Sequence, residues 1–483
     1  MEVSARKSPY SLIFLITTLV IQCFAAVHSI GVNYGTLADN LPPPAQVAQF
    51  IKDKTNIDAV KLFDANPDII RAFANSGISV SITVPNGDIP GLTNIAGARQ
   101  WIDTKVKPFY PATKINYILV GSEVLHWGDA NMKNSLVPAM QTLSQALLQA
   151  GMKDVKISTP HSLGMLVPTP IPSASRFLPD VEKSIMAPML EFLRKTKSGF
   201  MINPYPYFGY SPEKANYVLF KQNSGVRDPG TGLTYTNMYD QLLDSVHSAM
   251  KSIGYGDVEI VVGETGWPSA GEPWLTQNTP ENARQHNLNI LQKASSGQGT
   301  PLMPKRNFET YLFALFNENQ KPGSISERNF GLFRPDFSSV YDIGVMGTRK
   351  AAPVNPAPET KPPAGRTPRN PRNPRKPRNP GNQSPRNPRN RKQAPGAAGK
   401  TWCVPKPGTD AQRLQWNIDY ACGKVDCKPI QAGGPCFDPA NAFSHASYAM
   451  NALYQSTGQK DCGFSGSGIV INVDPSKGAC KYV

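Results

Sequence analysis

Val258-Glu259-Ile260-Val261-Val262-Gly263-Glu264-Thr265-Gly266-Trp267-Pro268-Ser269-Ala270-Gly271 is the stretch that decides the fold. Its first five residues are largely β-branched and read as a buried strand. The pattern then breaks at a carboxylate followed by Gly, Trp and Pro. An acid placed where a buried strand ends puts a charge at the mouth of a pocket, which folding alone does not require. Taken alone, Glu264 could equally be satisfied by a salt bridge. The choice rests on whether the chain supplies a second carboxylate and a cleft.

Seven further strand-like runs lie upstream and downstream, at Ile30–Tyr34, Ala59–Phe63, Ile78–Val84, Ile115–Val120, Val155–Ser158, Phe200–Asn203 and Tyr311–Phe316. Between them lie amphipathic segments such as Ala45–Lys54, Ile69–Ser76, Leu136–Ala150 and Tyr239–Ile253. Eight alternating β/α units over about 320 residues predict an α/β fold, a closed (β/α)₈ TIM barrel. A doubly wound open sheet would need a glycine-rich phosphate turn after the first strand, and Gly31-Val32-Asn33-Tyr34-Gly35 does not supply one.

Barrel enzymes carry their catalytic groups at the C-terminal ends of the strands. Glu264 ends the seventh strand, and the fourth runs into Gly121-Ser122-Glu123-Val124, so Glu123 and Glu264 face one mouth. Two carboxylates across a cleft can split a glycosidic bond: one protonates the leaving oxygen, the other attacks or stabilises the anomeric carbon. Like charges held close also raise one pKa, keeping an acid protonated near neutral pH. A separation near 5–5.5 Å would mean retention through a covalent intermediate.

Flanking this region, the ends of the chain differ in kind. Arg6 and Lys7 precede an apolar run from Leu12 to Ala26 and the small-residue pattern Val27-His28-Ser29. Residues 1–29 therefore read as a secretory signal peptide. The end at Cys480-Lys481-Tyr482-Val483 carries no hydrophobic tail, so no membrane anchor is expected. Between Lys361 and Lys400 there are twelve Lys or Arg and no acid, which leaves +3 of the formal +15 for the rest. Pro-Arg-Asn recurs there five times, starting at Pro368, Pro371, Pro377, Pro385 and Pro388. Prolines at this density predict an extended, solvated linker over 348–400, with Pro368–Asn390 reaching roughly 70 Å. It reads as a stiff spacer or as an electrostatic attachment to acidic wall polysaccharide; nucleic acid does not suit an exported chain. Asn382-Gln383-Ser384 is a glycosylation sequon weakened by Pro385.

Six cysteines, Cys403, Cys422, Cys427, Cys436, Cys462 and Cys480, all lie in the last 81 residues. In a small exported module they predict three disulfides, with 15 connectivities open. A zinc site is disfavoured, because His445 is the only nearby histidine. Helices are expected at Asp410–Cys422 and Asn441–Tyr454, the second capped by Asp438 with Pro439 in its first turn. About 80 residues bury a thin core, which explains the staples. No metal spacing appears at His126, His161, His247 or His286, which read as structural or surface residues. No cofactor motif appears either.

The stretch from Val258 to Gly271 resembles the signature of glycoside hydrolase family 17, the plant endo-β-1,3-glucanases. So do Ile30–Gly35, Val60-Lys61-Leu62-Phe63-Asp64, Asn203–Phe208, Phe313–Asn319 and Glu327–Phe333, in order across 30–347. The resemblance implies a retaining hydrolase with Glu264 as nucleophile and Glu123 as acid/base. One position departs: the family's strand-four pattern is Gly-Asn-Glu-Val, its asparagine binding the sugar 2-hydroxyl, and here Ser122 stands in that place. Serine reaches less far, and losing a contact that strengthens in the transition state costs a few kcal/mol.

Tyr34, Phe63, Tyr205, Tyr207, Trp267 and Phe316 are candidate faces for stacking on sugar rings, or else core packing. Glu318, Lys321 and Glu327 resemble the family's polar cluster around the nucleophile, or else a solvated ion pair. Residues 401–483 resemble the plant X8 module, carbohydrate-binding family 43, through the cysteine spacing, Gly434-Pro435-Cys436-Phe437-Asp438-Pro439 and Cys462-Gly463-Phe464. That implies callose binding, through exposed Tyr or Phe. The expectation is a secreted, monomeric β-1,3-glucan endo-hydrolase of the plant cell wall. Its alternatives are a β-1,3-glucanosyltransferase and a callose-binding wall protein with a silenced barrel.

Overall fold

The computed structural model describes residues 30–347 and 400–482, apart from 408, 410 and 438–441. The signal sequence, the linker through residue 399 and the Asp438–Pro439 cap lie outside the described residues. Nine strand segments form one parallel sheet: β1 (Ile30–Tyr34), β2 (Ala59–Leu62), β3 (Ser79–Val84), β4 (Lys114–Val120), β5 (Lys156–Ser158), β6 (Pro160–Ser162), β7 (Phe200–Asn203), β8 (Ile260–Thr265) and β9 (Thr310–Leu312). Their order is β5-β4-β3-β2-β1-β9-β8-β7-β6. Only Thr159 separates β5 from β6, so the two are one interrupted fifth strand. One half pairs with β4 through Tyr117↔Lys156, the other with β7 through Pro160↔Met201, and the barrel closes.

Most barrel strands are buried on both faces, which is why they read as continuous apolar runs instead of alternating ones. Inward-pointing Ala59, Tyr117, Leu119, Met201, Val261 and Tyr311 pack together as the barrel's filling. Outward-pointing residues meet the helices in one large core that includes Val32, Val60, Ile118, Ile202 and Val262.

Helix starts follow side-chain caps. The Asn66, Asn94, Asp129, Asn237 and Thr279 side chains each accept a first-turn backbone N–H. The Asp129 cap, on Met132 N, explains why the helix expected from Leu136 begins at Ala130 and carries Pro138 inside it. The strand expected at Tyr311–Phe316 is shorter, ending at Leu312 just before the cis Phe313–Ala314 bond. The strand expected at Val258–Val262 runs instead from Ile260 to Thr265, so Glu264 lies within it.

In the C-terminal module, strands Trp402–Pro405 and Gly468–Ile471 pair antiparallel beside helices Ala411–Cys422 and Ala442–Ser456. Trp402, Val404, Leu414, Phe443, Ala449 and Met450 are among its buried residues. The three disulfides pair Cys403 with Cys462, Cys422 with Cys427, and Cys436 with Cys480. Among the described residues, no helix is long and apolar enough to cross a membrane.

The Cys403–Cys462 bond spans 59 residues of this small core. Replacing both cysteines with alanine in the full chain should lower the module's unfolding free energy by about 2–5 kcal/mol. Denaturant unfolding should show the module's transition moving while the barrel's stays in place. An unchanged module transition would mean that the apolar core suffices without this staple.

Candidate functional site

Glu264 sits where the β8–β9 register shifts: Val262 pairs with Thr310, but Thr265 pairs with Leu312. Three steps on one strand against two on the other make a bulge, and bulges re-aim side chains. The glycine that follows is required by space, because a Cβ on Gly266 would fall 2.2 Å from the Phe313 carbonyl oxygen. The Gly-Glu-Thr-Gly pattern is therefore a device for turning a carboxylate into the barrel mouth.

The Glu264 carboxylate is buried and held from two sides. Lys61 Nζ, on β2, donates to Oε1 at 2.9 Å, and Tyr205 OH donates to Oε2 at 3.0 Å. Lys61 is fully buried. It also donates to Asn33 Oδ1 at 3.0 Å and lies 4.1 Å from the Phe63 ring centroid. Asn33 in turn gives its Nδ2 to the Gly263 carbonyl at 3.2 Å and the Tyr311 carbonyl at 3.4 Å. Four strands thus lock one ion pair.

Glu123 follows β4 with left-handed backbone, φ 50° and ψ 40°, at the head of the short helix Val124–Trp127. Such a conformation is uncommon for a glutamate and concentrates at functional sites. Its N–H bonds the Pro160 carbonyl at 2.9 Å. Asn86 brackets the preceding residue, accepting from Ser122 N at 2.8 Å and donating to Ser122 O at 3.0 Å. The Glu123 oxygens receive Asn203 Nδ2 at 2.8 Å and Trp127 Nε1 at 3.0 Å. Burial, and then the charge of Glu264, push the Glu123 carboxyl above the usual carboxylate range; Asn203, Trp127 and His126 pull it part-way back. The two carboxylates therefore feel each other across one cleft.

Tyr205, which bonds Glu264, also feels the charge of Glu123. Burial raises its phenol far above the ordinary value, helped by Glu264, Glu123 and Glu327. Its ring meets Phe313 and Phe330 edge-on. Tyr34, Tyr207, Trp267 and Phe316 are instead buried. Tyr34 packs edge-on against Phe316, and Trp267 lies against Tyr207, Tyr210 and His286 with its Nε1 on the Gln277 carbonyl. These four support the site from beneath and offer no open face, so for them packing prevails over sugar stacking. Phe63 is half-buried beside Lys61.

Glu318, Lys321 and Glu327 do come together. Lys321 Nζ is 3.4 Å from Glu327 Oε2, both side chains about one-fifth exposed, and 4.0 Å from the Phe313 ring centroid. Glu318 is buried and accepts Leu37 N at 2.9 Å; burial raises its carboxyl while Lys321 pulls it down. A Cβ on Gly35 would strike that carboxylate at 2.3 Å. The turn carrying Glu327 is pinned by Glu272, which accepts Ile325 N at 2.8 Å and Ser324 Oγ at 2.6 Å.

The sequence reading did not single out Lys61, Asn33, Asn203, Glu272 or Trp127 as site residues. A lysine inside an otherwise apolar strand is the signal that was available for Lys61. His161 and His286 are buried, and desolvation lowers their pKa to about 3 and about 4. A separate hollow lined by Phe220, Lys221, Asn237 and Lys293 contains neither carboxylate.

The model of glycosyl hydrolases family 17 matches residues 30–345, across the whole barrel and both carboxylates. The chain belongs to this family. The X8 domain matches residues 401–469. A Triticum aestivum relative, glucan endo-1,3-beta-glucosidase, is 49% identical over 461 residues, 94% of each chain. An Olea europaea relative, glucan endo-1,3-beta-D-glucosidase, is 40% identical over 491 residues, 99% of each chain. Among solved structures, CJP38, a beta-1,3-glucanase and allergen of Cryptomeria japonica pollen, aligns at TM-score 0.62 and 40% identity, covering 66% of this chain and 99% of that one.

Within this family 17 barrel, removing the buried cation isolates a buried carboxylate. Lys61→Met should destabilise the barrel by about 3–5 kcal/mol, as unpaired buried charges do. It should also cut turnover roughly 100-fold or more. Denaturant unfolding and steady-state kinetics read the two effects. Wild-type stability with wild-type rate would show that the ion pair contributes nothing.

Proposed function

We propose that the chain is a secreted, retaining endo-hydrolase of (1→3)-β-D-glucosidic linkages in callose-like β-1,3-glucan. The reading rests on one observation: of two carboxylates at one barrel mouth, Glu264 has a buried cation, while Glu123 has none among the described residues and is pushed towards its protonated form. Environments that separate two such groups assign the nucleophile and the acid. Family 17 membership and the names of the relatives support the substrate class.

In the first step a Glu264 oxygen attacks the anomeric carbon while Glu123 gives its proton to the glycosidic oxygen. The bond from C1 to the leaving sugar breaks as the bond to Glu264 forms. Glu123, now a carboxylate, then takes a proton from water, whose oxygen attacks C1 and frees Glu264. Transfer to another sugar would use the same intermediate, with a sugar hydroxyl in place of water. Tyr205, Phe63, Glu318, Lys321 and Glu327 border the reacting sugar, and Ser122 takes the place of the asparagine that would reach its 2-hydroxyl.

The functional units are the signal peptide 1–29, the barrel 30–347, the basic linker 348–400 and the X8 module 401–483. The module keeps a monomeric enzyme on insoluble polymer by raising effective concentration. The linker's cations add attraction to acidic wall polysaccharide. On the module, Trp416 and Tyr420 are exposed, their rings parallel within 6° and 5.1 Å apart.

Laminarin, mixed-linkage glucan and cellulose, each digested by wild type, Glu264→Gln and Glu123→Gln, test the proposal. Wild type should release short oligosaccharides from laminarin, and Glu264→Gln should lose at least about 1,000-fold in rate. Activity needs Glu123 protonated, so kcat/KM should fall as pH rises through its raised pKa, at a limb above the ordinary glutamate value of about 4.3. Wild-type turnover by Glu264→Gln would sink the assignment, and products longer than the substrate would mark transfer.

A separate measurement addresses the module. Trp416→Ala with Tyr420→Ala should weaken retention on insoluble β-1,3-glucan roughly tenfold. Rates on soluble laminarin should not change. Equal retention would place glucan binding elsewhere on the module.

A further inference from the structure

Trp127 is 55% exposed, while the barrel's Trp101 and Trp267 are buried. An open indole is a large apolar surface left in water, and this one is tied to the cleft by its polar edge. Its Nε1 donates to Glu123 Oε2 at 3.0 Å, while the other oxygen takes Asn203. Glu123 caps this turn with left-handed backbone, and its carbonyl accepts the Trp127 N–H at 3.0 Å, so backbone and side chain both tie the two residues together. The His126 ring meets Trp127 edge-on at 4.4 Å and fixes its orientation from one side.

The position carries chemical meaning. If Glu123 is the acid, the oxygen it protonates belongs to the departing sugar, so that sugar lies beside Glu123. A side chain that bonds Glu123 from the rim and opens to solvent is within reach of the same sugar. Pyranose rings present apolar C–H faces, and an indole is the largest flat surface a protein can set against one. Its N–H can only donate, so it bonds the charged carboxylate more strongly than the protonated acid.

We propose that Trp127 is a positioning residue for the acid Glu123 and, through its open ring face, the stacking platform for the glucose unit on the leaving-group side of the cleft. The proposal rests on the reading of Glu123 as acid/base. It makes the chain select substrates with a glucose unit beyond the scissile bond, and it makes the same surface the landing place for an acceptor sugar.

The test compares a β-1,3-linked glucose hexamer with an aryl β-laminaribioside whose activated leaving group is no sugar. Trp127→Ala should lose roughly tenfold more kcat/KM on the hexamer than on the aryl substrate. Trp127→Phe keeps a ring face but no N–H, so it should recover most of the hexamer's KM. Its alkaline limb should move up by about half a pH unit, since a bond favouring the charged carboxylate is gone. The other titratable groups that face Glu123 are Glu264, Tyr205 and His126, and neither variant replaces any of them. Equal losses on both substrates, or a Trp127→Phe profile identical to wild type, would overturn the proposal. Glu123→Gln, run in parallel, separates the two readings. If it keeps hexamer turnover, the acid assignment itself fails. If it loses the hexamer but keeps the aryl substrate while the Trp127 variants match wild type, only the role of Trp127 fails.

Discussion

A lysine with no exposed surface facing a buried glutamate is the constraint around which the barrel mouth is arranged. Neither charge is tolerable alone in that environment, since an unpaired buried ion costs several kcal/mol. The pair is acceptable only because its remaining bonding capacity is filled. Asn33 takes one ammonium proton, Tyr205 gives the second carboxylate oxygen a donor, and the Phe63 ring lies against the cation. These partners come from β1, β2, β8 and the loop after β7, so the ion pair exists only when the barrel is assembled. The site depends on the fold, and the fold tolerates the site because the charges cancel.

The second carboxylate is treated in the opposite way. Glu123 has amide, indole and imidazole neighbours but no cation in contact, and it looks across at a like charge. The same chemical group thus has two environments in one barrel mouth, the kind of division that lets two carboxyls take different protonation states. The polar cluster of Glu318, Lys321 and Glu327 stands outside this division. It is tied to the wall by Leu37 and, through the turn at Ile325, by Glu272.

Much of this is legible in the chain itself. Eight apolar runs with turn signals gave the barrel, and two acids at corresponding strand ends gave the pair, because strand periodicity and the polarity of a barrel are properties of the chain itself. What sequence could not carry was direction. Tyr34, Tyr207, Trp267 and Phe316 are aromatic and lie in the right loops, yet they point into the wall; nothing in residue type distinguishes a wall from a platform. The bulge that aims Glu264 depends on the register between β8 and β9, a relation between distant segments. Lys61 was quoted only as one letter of a resemblance, because its partner is 203 positions away. The cysteines announced three bonds, and their pairing waited on the module's fold.

The interrupted fifth strand has a consequence for how the site is assembled. The carbonyl of Pro160, the first residue after the break, accepts the Glu123 N–H. The seam that closes the barrel is therefore also the seat of Glu123. A change that displaces the Pro160 carbonyl therefore displaces the backbone of Glu123 with it. Closure of the barrel and placement of one carboxylate are thus a single act of folding.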